Sequence, residues 1–533
     1  MATIFIQNCN TCEVSIPQKY GLKLYKDLSV RHPNAFYLKR QSKGNWDGIV
    51  HFINQRGIFK IGMLPRVVDL CKSYGLKIKI VDERKPVPKV TKVVTKTTNF
   101  KLRPEQIEAV KSVVNNRVQG ANYHIGVLDY TVNAGKTLIM TALYLTYQRK
   151  LRTLLITNDS DWLNQARTEF KDYLPDEDIT FIQGTKKLTK WTNFNIGMVQ
   201  TLSRNIKKFQ NELTKIDMVL VDEADLGGSK SYQTVLTHLW NTRIRIGLSG
   251  TIYMSKFKKD QLKNWNLEAF FGPKLAEFKL KESIEKGYST KTVVKAIDYK
   301  PYYGNWECDA LSYKDEYDDT ITNNHRGLRM VIDRVRYNLH LGRWPLLIVT
   351  KYIDHCENIY KYLQKHNKVG HIANIAYVHV DTPTSVRKRI MQEFREGKLH
   401  ILVSTTIIAR GKNFPLLKAM INAAGFKAEE KNIQFLGRLV RTHESKKKAY
   451  LDDLQYPGHY LGRHSRARIR SYKKQGFKVI NVTSKQRNLA NERRELNKVM
   501  KKVKEKTYEP IPPYLFQKGR FKELCEWCES HPG

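Results

Sequence analysis

The residues Tyr130-Thr131-Val132-Asn133-Ala134-Gly135-Lys136-Thr137 have the composition of a phosphate-binding loop. Backbone N–H groups of such a loop, with the N-terminus of the helix after it, hold the β- and γ-phosphates of a nucleotide. Lys136 would neutralise those phosphates and Thr137 would ligate magnesium. The full motif opens on glycine where this chain has Tyr130, so Gly-Lys-Thr alone is a weak signal. A second element strengthens it. The apolar run Met218–Val221 ends in Asp222-Glu223-Ala224-Asp225, 86 residues after Lys136. At a strand tip Asp222 can hold magnesium through water, and Glu223 can orient and deprotonate an attacking water. Alone, four such residues read equally well as an acidic turn opening a helix. Their order after the phosphate loop favours the catalytic reading.

Other candidates fall in sequence around these two. Leu102-Arg103-Pro104-Glu105-Gln106 precedes the loop, and the Gln106 amide offers the paired donor and acceptor that an adenine edge requires. With Pro104 in its first turn, the same stretch is also an ordinary helix start. Leu248-Ser249-Gly250-Thr251 closes an apolar run with small hydroxyl residues able to link a nucleotide site to a moving part. Gln434-Phe435-Leu436-Gly437-Arg438-Leu439-Val440-Arg441 places two arginines three apart, which predicts that they share one helix face. They are either a surface pair or fingers that stabilise charge on a transferring phosphate.

The elements that must position these groups are legible in outline. Short apolar runs at Ile125–Leu128, Thr153–Thr157, Ile196–Gln200, Met218–Val221 and Ile244–Leu248 alternate with amphipathic segments. A second set lies at Pro345–Thr350, Ala376–His379, Ile401–Ser404 and Ala419–Asn422. Such alternation predicts an α/β fold, here two successive parallel sheets with crossover helices. Residues 1–82 read as a small α+β domain, with a hairpin signal from His51 to Gly62 around Gly57 and a helix over Leu64–Tyr74 stopped by Gly75. Residues 83–99 read as a basic linker, and the stretch 84–101, with six basic residues, two prolines and no acid, fits a linker or an extended strand. The two α/β units are expected at 100–290 and 291–482, with a basic tail at 483–533. Between 461 and 506 stand 16 Lys or Arg and three Glu, either a solvated helix face or a phosphate contact.

Composition narrows the partner. The 533 residues carry 93 Lys plus Arg against 51 Asp plus Glu, a formal net charge of +42. That field favours a polyanion: nucleic acid or an anionic membrane surface. No apolar run approaches the roughly 20 residues needed to span a bilayer, and Met1–Cys12 lacks the pattern of a secretory signal. Seven dispersed cysteines read as reduced thiols in an intracellular chain. Cys9-x-x-Cys12 and Cys525-x-x-Cys528 have the spacing of zinc half-sites, but they stand at opposite ends, and two pairs of free thiols are the simpler reading.

Taken in order, Gln106, the loop 131–137, Asp222–Asp225, Ser249-Gly250-Thr251, Ala409-Arg410-Gly411 and Gln434 to Arg441 resemble the motifs of superfamily 2 helicases over about 100–445. The Asp-Glu-Ala-Asp spelling suggests the DEAD-box RNA helicases. Other positions depart from that family: Thr157-Asn158-Asp159-Ser160-Asp161 for Pro-Thr-Arg-Glu-Leu, Ser-Gly-Thr for Ser-Ala-Thr, Gln434 for His-Arg, and Asn413 for Asp. The chain looks more like the UvsW-like group of phage DNA helicases. Gly44-Asn45-Trp46-Asp47-Gly48 with the hairpin and Leu64-Pro65 is similar to that group's N-terminal domain. Arg463-His464-Ser465 through Arg470, Tyr472 and Gly476-Phe477 is similar to its C-terminal stretch. Trp46 itself reads as a core residue.

The resemblance implies two RecA-like motor domains in tandem, a small α+β N-terminal domain that binds DNA, and a basic C-terminal tail. It implies ATP and magnesium as cofactors. Arg103, Gln106, the loop residues 131–137, Asp222, Gly411 and Asn413 would bind them, with Lys136, Asp222, Glu223, Gln434, Arg438 and Arg441 catalytic. Strand contacts would fall on Asn158, Gln200, Thr201, Lys351 and Thr405, each equally readable as a polar loop residue or helix cap. It further implies a monomer that remodels branched or single-stranded DNA, and RNA–DNA hybrids, in a bacterial host's cytoplasm beside replication or recombination proteins. Three other readings stay open: a DEAD-box RNA helicase, a motor subunit that translocates without separating strands, and a basic nucleic-acid-binding protein with a degenerate ATPase, motivated by Tyr130 and Asn133.

Overall fold

A computed structural model describes residues 1–41, 46–184, 190–250, 252, 260–299, 312–365, 374–409, 414–427 and 429–482. Thr251, Arg410, Gly411, Asn413, Gly44, Asn45, Cys525, Cys528 and the tail 483–533 lie outside these residues. The chain divides into two compact units at Ser289/Thr290.

The first unit opens with β1 (Ala2–Ile6), β2 (Thr11–Ser15), β3 (Ser29–Arg31), β4 (Ile49–His51), β5 (Ile58–Lys60) and β6 (Ile78–Asp82). A four-stranded sheet of order β5-β2-β1-β6 carries the helices Gln18–Asp27 and Leu64–Ser73. The expected hairpin around Gly57 is only partly there. A bridge joins Ile53 to Phe59, but β4 pairs with β3 and β5 pairs with β2, so the two arms enter different sheets. The physical reason is register: Phe59 is needed in the core beside Cys12, which sets β5 against β2.

Next come β7 (Arg117–Val118), β8 (Ala121–Asn122), β9 (His124–Tyr130), β10 (Thr153–Thr157), β11 (Ile179–Ile182), β12 (Phe194–Met198), β13 (Met218–Asp222), β14 (Ile244–Ser249) and β15 (Lys274–Phe278). Seven of them form one parallel sheet of order β11-β12-β10-β13-β14-β9-β15. Strands β9, β10, β12, β13 and β14 are buried along their whole length, as a sheet covered on both faces requires.

The second unit repeats the plan. Its strands are β16 (Thr292–Asp298), β17 (Leu346–Val349), β18 (Ile375–Val378), β19 (Ile401–Ser404), β20 (Ala419–Asn422), β21 (Ala449–Gln455) and β22 (Lys478–Val482). All seven run parallel in the order β18-β19-β17-β20-β21-β16-β22. Part of the basic stretch after 461 is therefore not tail: the helix His459–Lys474 packs on this sheet, and β22 is its edge strand. The architecture is α/β, two parallel-sheet units in tandem of the RecA-like kind. No helix among the described residues is long and apolar enough to cross a membrane.

Candidate functional site

Three strand ends meet in the first unit. β14 lies between β13 and β9, with Asp222 opposite Leu248 and Ser249 opposite Asp129. The C-terminal ends of these strands carry Asp222–Asp225, Ser249-Gly250 and the loop 131–135, so motifs far apart in sequence become neighbours at one sheet edge. Ligands gather at this edge in open parallel sheets.

The loop leaves β9 at Tyr130 and turns at Asn133 (φ 64°) and Gly135 (φ 71°) into the helix Lys136–Thr146. Asparagine is among the few non-glycine residues that tolerate this left-handed conformation. Tyr130, standing where the motif has glycine, is a strand residue in the core, and its hydroxyl donates to the Glu105 carbonyl at 2.8 Å. Arg103 and Gln106 belong to the helix start at Pro104–Val114. Gln106 is buried, accepts from the Arg103 N–H at 2.9 Å and donates to the Ala134 carbonyl at 2.8 Å. Arg103 donates to the Asn133 carbonyl at 3.1 Å. A Cβ at Gly135 would stand 2.4 Å from Gln106 Nε2, so glycine is required there for the helix start to hold the loop. Thr131 and Ala134 are buried, while Val132, Asn133, Lys136 and Thr137 are half-buried along the loop's open side.

Burial holds the Asp222 carboxyl up at about 6, against the pull of the Lys136 ammonium. Asp222 Oδ1 is buried with no hydrogen-bond partner among the described residues. A desolvated carboxylate with an unused oxygen, within electrostatic reach of Lys136, suits a hard cation with oxygen ligands. Glu223 follows in a left-handed conformation (φ 53°). Asp225 accepts from the Ser249 hydroxyl at 2.8 Å, and a Cβ at Gly250 would lie 3.1 Å from Thr131 Cα. The acidic, hydroxyl and phosphate-loop motifs thus touch one another.

Two residues here escaped the sequence reading. The Tyr288 ring lies 4.0 Å from the Arg103 guanidinium, and the Ser289 hydroxyl accepts from Asn133 Nδ2 at 3.2 Å. Both stand where the chain leaves the first unit, and nothing local in sequence ties them to the loop. At the neighbouring strand ends, Gln200 donates to the Asn158 carbonyl at 3.4 Å, and the Thr201 hydroxyl accepts from the Gly184 N–H at 3.0 Å. The side-chain oxygens of Asn158 and Gln200 are buried without partners among the described residues.

In the second unit, Lys351 and Thr405 follow the paired strands β17 and β19. They line one pocket of about 560 Å³ with Lys314, Tyr352, Thr406 and Ile407. Lys351 Nζ lies 3.9 Å from the Tyr313 ring centroid and 4.7 Å from that of Tyr352. Gln434 and Arg438 are on the helix Glu429–Leu439, both half-buried. Arg441 is not on that helix, so the two arginines do not share its face. The helix ends at Leu439 because the chain turns to meet Thr290, whose N–H donates to the Val440 carbonyl at 2.7 Å and whose hydroxyl donates to the Arg441 carbonyl at 3.0 Å. Lys446 is buried against the Leu439 and Leu417 carbonyls, and burial lowers its ammonium to about 8.

Cys9, in the turn between β1 and β2, and Cys12, on β2, are both buried, and burial pushes the Cys12 thiol up to about 12. Among the described residues no group of three or more His, Cys, Asp and Glu side chains is arranged to hold a metal ion without other ligands.

Comparison with known proteins gives the same assignment. Residues 99–254 match the family model of the type III restriction enzyme res subunit. Residues 332–443 match the helicase conserved C-terminal domain. The chain is similar to the ATP-dependent DNA helicase uvsW of Enterobacteria phage T4, 22% identical over 442 residues, covering 77% of this chain and 82% of the relative. It is also similar to putative helicase 22 of a Sulfolobus islandicus filamentous virus, 21% identical over 459 residues, covering 82% and 77%. Among solved structures, the fragment of a putative HsdR subunit of a type I restriction enzyme from Vibrio vulnificus shares the fold, with a TM-score of 0.56 at 16% identity over 87% of this chain and 84% of that one. Both halves of a helicase core are present, in order and on the expected sheets, and the chain is an ATP-dependent helicase of superfamily 2 related to the UvsW-like group.

Proposed function

We propose that this helicase remodels branched DNA, using magnesium and ATP at the sheet edge of the first unit. One observation carries the site assignment: the buried Asp222 carboxyl, with an unused oxygen, faces the electrostatic influence of Lys136 at the end of the phosphate loop. Lys136 and the loop N–H groups bind and orient the phosphates. Asp222 and Thr137 would hold magnesium, which supplies neutralisation of the charge that develops on phosphoryl transfer. Glu223 takes the proton of the attacking water. Arg438 and Arg441 of the second unit stabilise charge on the transferring phosphate, with Gln434 as their companion.

Asn158, Gln200 and Thr201 in the first unit and Lys351 and Thr405 in the second are proposed to hold the strand. The unused amide capacity of Asn158 and Gln200 and the basic, aromatic pocket at Lys351 support that role. DNA rather than RNA is supported by the similarity to the phage T4 DNA helicase and by the departures from the DEAD-box pattern. The net charge of +42 supports a nucleic-acid partner of either kind.

The test is a substrate panel. ATP turnover should rise with DNA forks and four-way junctions more than with single strands, and labelled fork arms should be displaced. Equal stimulation by RNA alone would transfer the function to RNA. Arg438→Ala and Arg441→Ala should each cut turnover about a thousandfold with nucleotide binding retained. Normal turnover with weakened binding would remove them from the transition state.

A further inference from the structure

The helix His459–Lys474 contains four arginines, two lysines and no acidic residue. Its inner face is fixed by the most buried ion pair in the second unit. Arg468 and Asp453 are both 0% exposed, with the guanidinium donating to Asp453 Oδ1 and Oδ2 at 2.9 Å and to the Leu454 carbonyl at 2.8 Å. The Tyr472 hydroxyl donates to the same carboxylate at 2.6 Å. The helix start is held by Glu316, whose carboxylate accepts from the N–H groups of Leu461 at 2.7 Å and Tyr460 at 3.0 Å. These anchors fix the helix's rotation about its own axis.

With that rotation fixed, Arg463, Arg466, Arg470, Lys473 and Lys474 all face outward and are exposed. Their spacing of three and four residues makes one stripe about 16 Å long at 1.5 Å per residue. Arg463, Arg466, Arg470 and Lys473 form no ion pair with a described carboxylate. Lys473 and Lys474 lie in the last turn, where the helix dipole favours cations. The dipole gives no such reason for Arg463 and Arg466, which lie nearer the N-terminus, and like charges at this spacing repel. For the helix alone the stripe is mildly unfavourable, and an outside anion would relieve it.

We propose that this stripe is a track for the phosphate backbone of a double-stranded arm of the substrate, an inference that rests on the nucleic-acid reading above. A duplex is favoured over a single strand by the side chains themselves. Single-strand sites pair basic residues with aromatics on which bases stack, whereas from Arg463 to Lys474 the outward stripe is arginine and lysine, with the exposed His459 ring one turn before it, 3.2 Å from Arg463 Nη1. Arginine binds phosphate through its planar fork without reading sequence.

The experiment measures the salt dependence of binding for the full chain, on blunt duplex DNA and on a single strand of the same length. The triple variant Arg463→Gln/Arg466→Gln/Arg470→Gln should lose about 2 to 3 from the slope of log affinity against log salt on duplex, since each phosphate contact contributes about 0.9. Its slope on the single strand, and its ATP turnover driven by a single strand, should be unchanged. The triple lysine variant should keep the wild-type slope, separating charge from folding. An unchanged duplex slope overturns the proposal, including the case in which the chain's own residues 483–533 cover the stripe. Equal losses on both substrates overturn it as well. If the wild type binds neither substrate and shows no nucleic-acid-stimulated turnover, the functional reading itself fails.

Discussion

Tyr130 and Asp222 illustrate how single residues here serve two masters. Tyr130 breaks the glycine rule of its motif because the position is a strand end that must fill core space and reach the Glu105 carbonyl, 25 residues away in sequence. That partner is not visible in any local pattern, so the sequence showed a departure without its reason. Tyr130→Phe should leave turnover near wild type and cost about 1 kcal/mol of stability by chemical denaturation; a large loss of turnover at full stability would make the hydroxyl catalytic. Lys136, Thr137 and Glu223 were legible because their motifs are short and ordered. Asp222 was legible as a residue but not as a strained one. Its carboxyl is raised in the folded chain from 3.8 to about 6, so with respect to this group the nucleotide-free protein is most stable below about pH 4 and loses that contribution as pH rises through 6. Asp222→Asn without nucleotide should therefore melt higher than wild type at pH 7, by up to about 3 kcal/mol, with the difference vanishing near pH 4. A variant less stable than wild type at pH 7 would contradict the burial argument.

At the scale of elements, the strands carrying motifs were placed closely, since uninterrupted apolar runs such as Met218–Val221 mark strands buried on both faces. The edge and return strands were harder. β15 (Lys-Leu-Ala-Glu-Phe) and β22 (Lys-Val-Ile-Asn-Val) show neither a continuous apolar run nor a strict alternation, and are placed by the neighbours they pair with, β9 and β16. The hairpin around Gly57 was predicted from a local turn, and long-range pairing divided its arms between sheets. The helix His459–Lys474 read as one basic run because charge patterns do not reveal which arginine meets a buried carboxylate. Arg468 does. Arg468→Met leaves Asp453 buried without its cation and should cost about 3 to 5 kcal/mol, read by denaturant titration; a cost under 1 kcal/mol would mean that the helix is not fixed by this pair.

Across the whole first unit, the N-terminal sheet is welded to the parallel sheet rather than tethered. Arg245 of β14 donates to the Cys9 carbonyl at 3.1 Å and to Asn10 Oδ1 at 2.6 Å, and Arg66 pairs with Glu268 at 2.6 Å. A Cβ at Gly62 would lie 2.0 Å from the Glu268 carbonyl oxygen, so Gly62→Ala should destabilise the chain by about 1 to 3 kcal/mol. In sequence the stretch 84–101 reads as a linker or an extended strand, and its Val87, Val90 and Val93 pack on the core of the parallel sheet. Built this way, the first unit carries its N-terminal sheet together with the loop 131–135. ATP hydrolysis at Lys136, Asp222 and Glu223 is expected to be driven by nucleic acid. The direct measurement is steady-state ATP turnover of wild type and Glu223→Gln, each with and without forked DNA. Wild type should be stimulated at least tenfold by the fork, and Glu223→Gln should bind nucleotide and fork yet stay silent in both conditions. Equal turnover of the two proteins, or a wild-type rate indifferent to the fork, would contradict it.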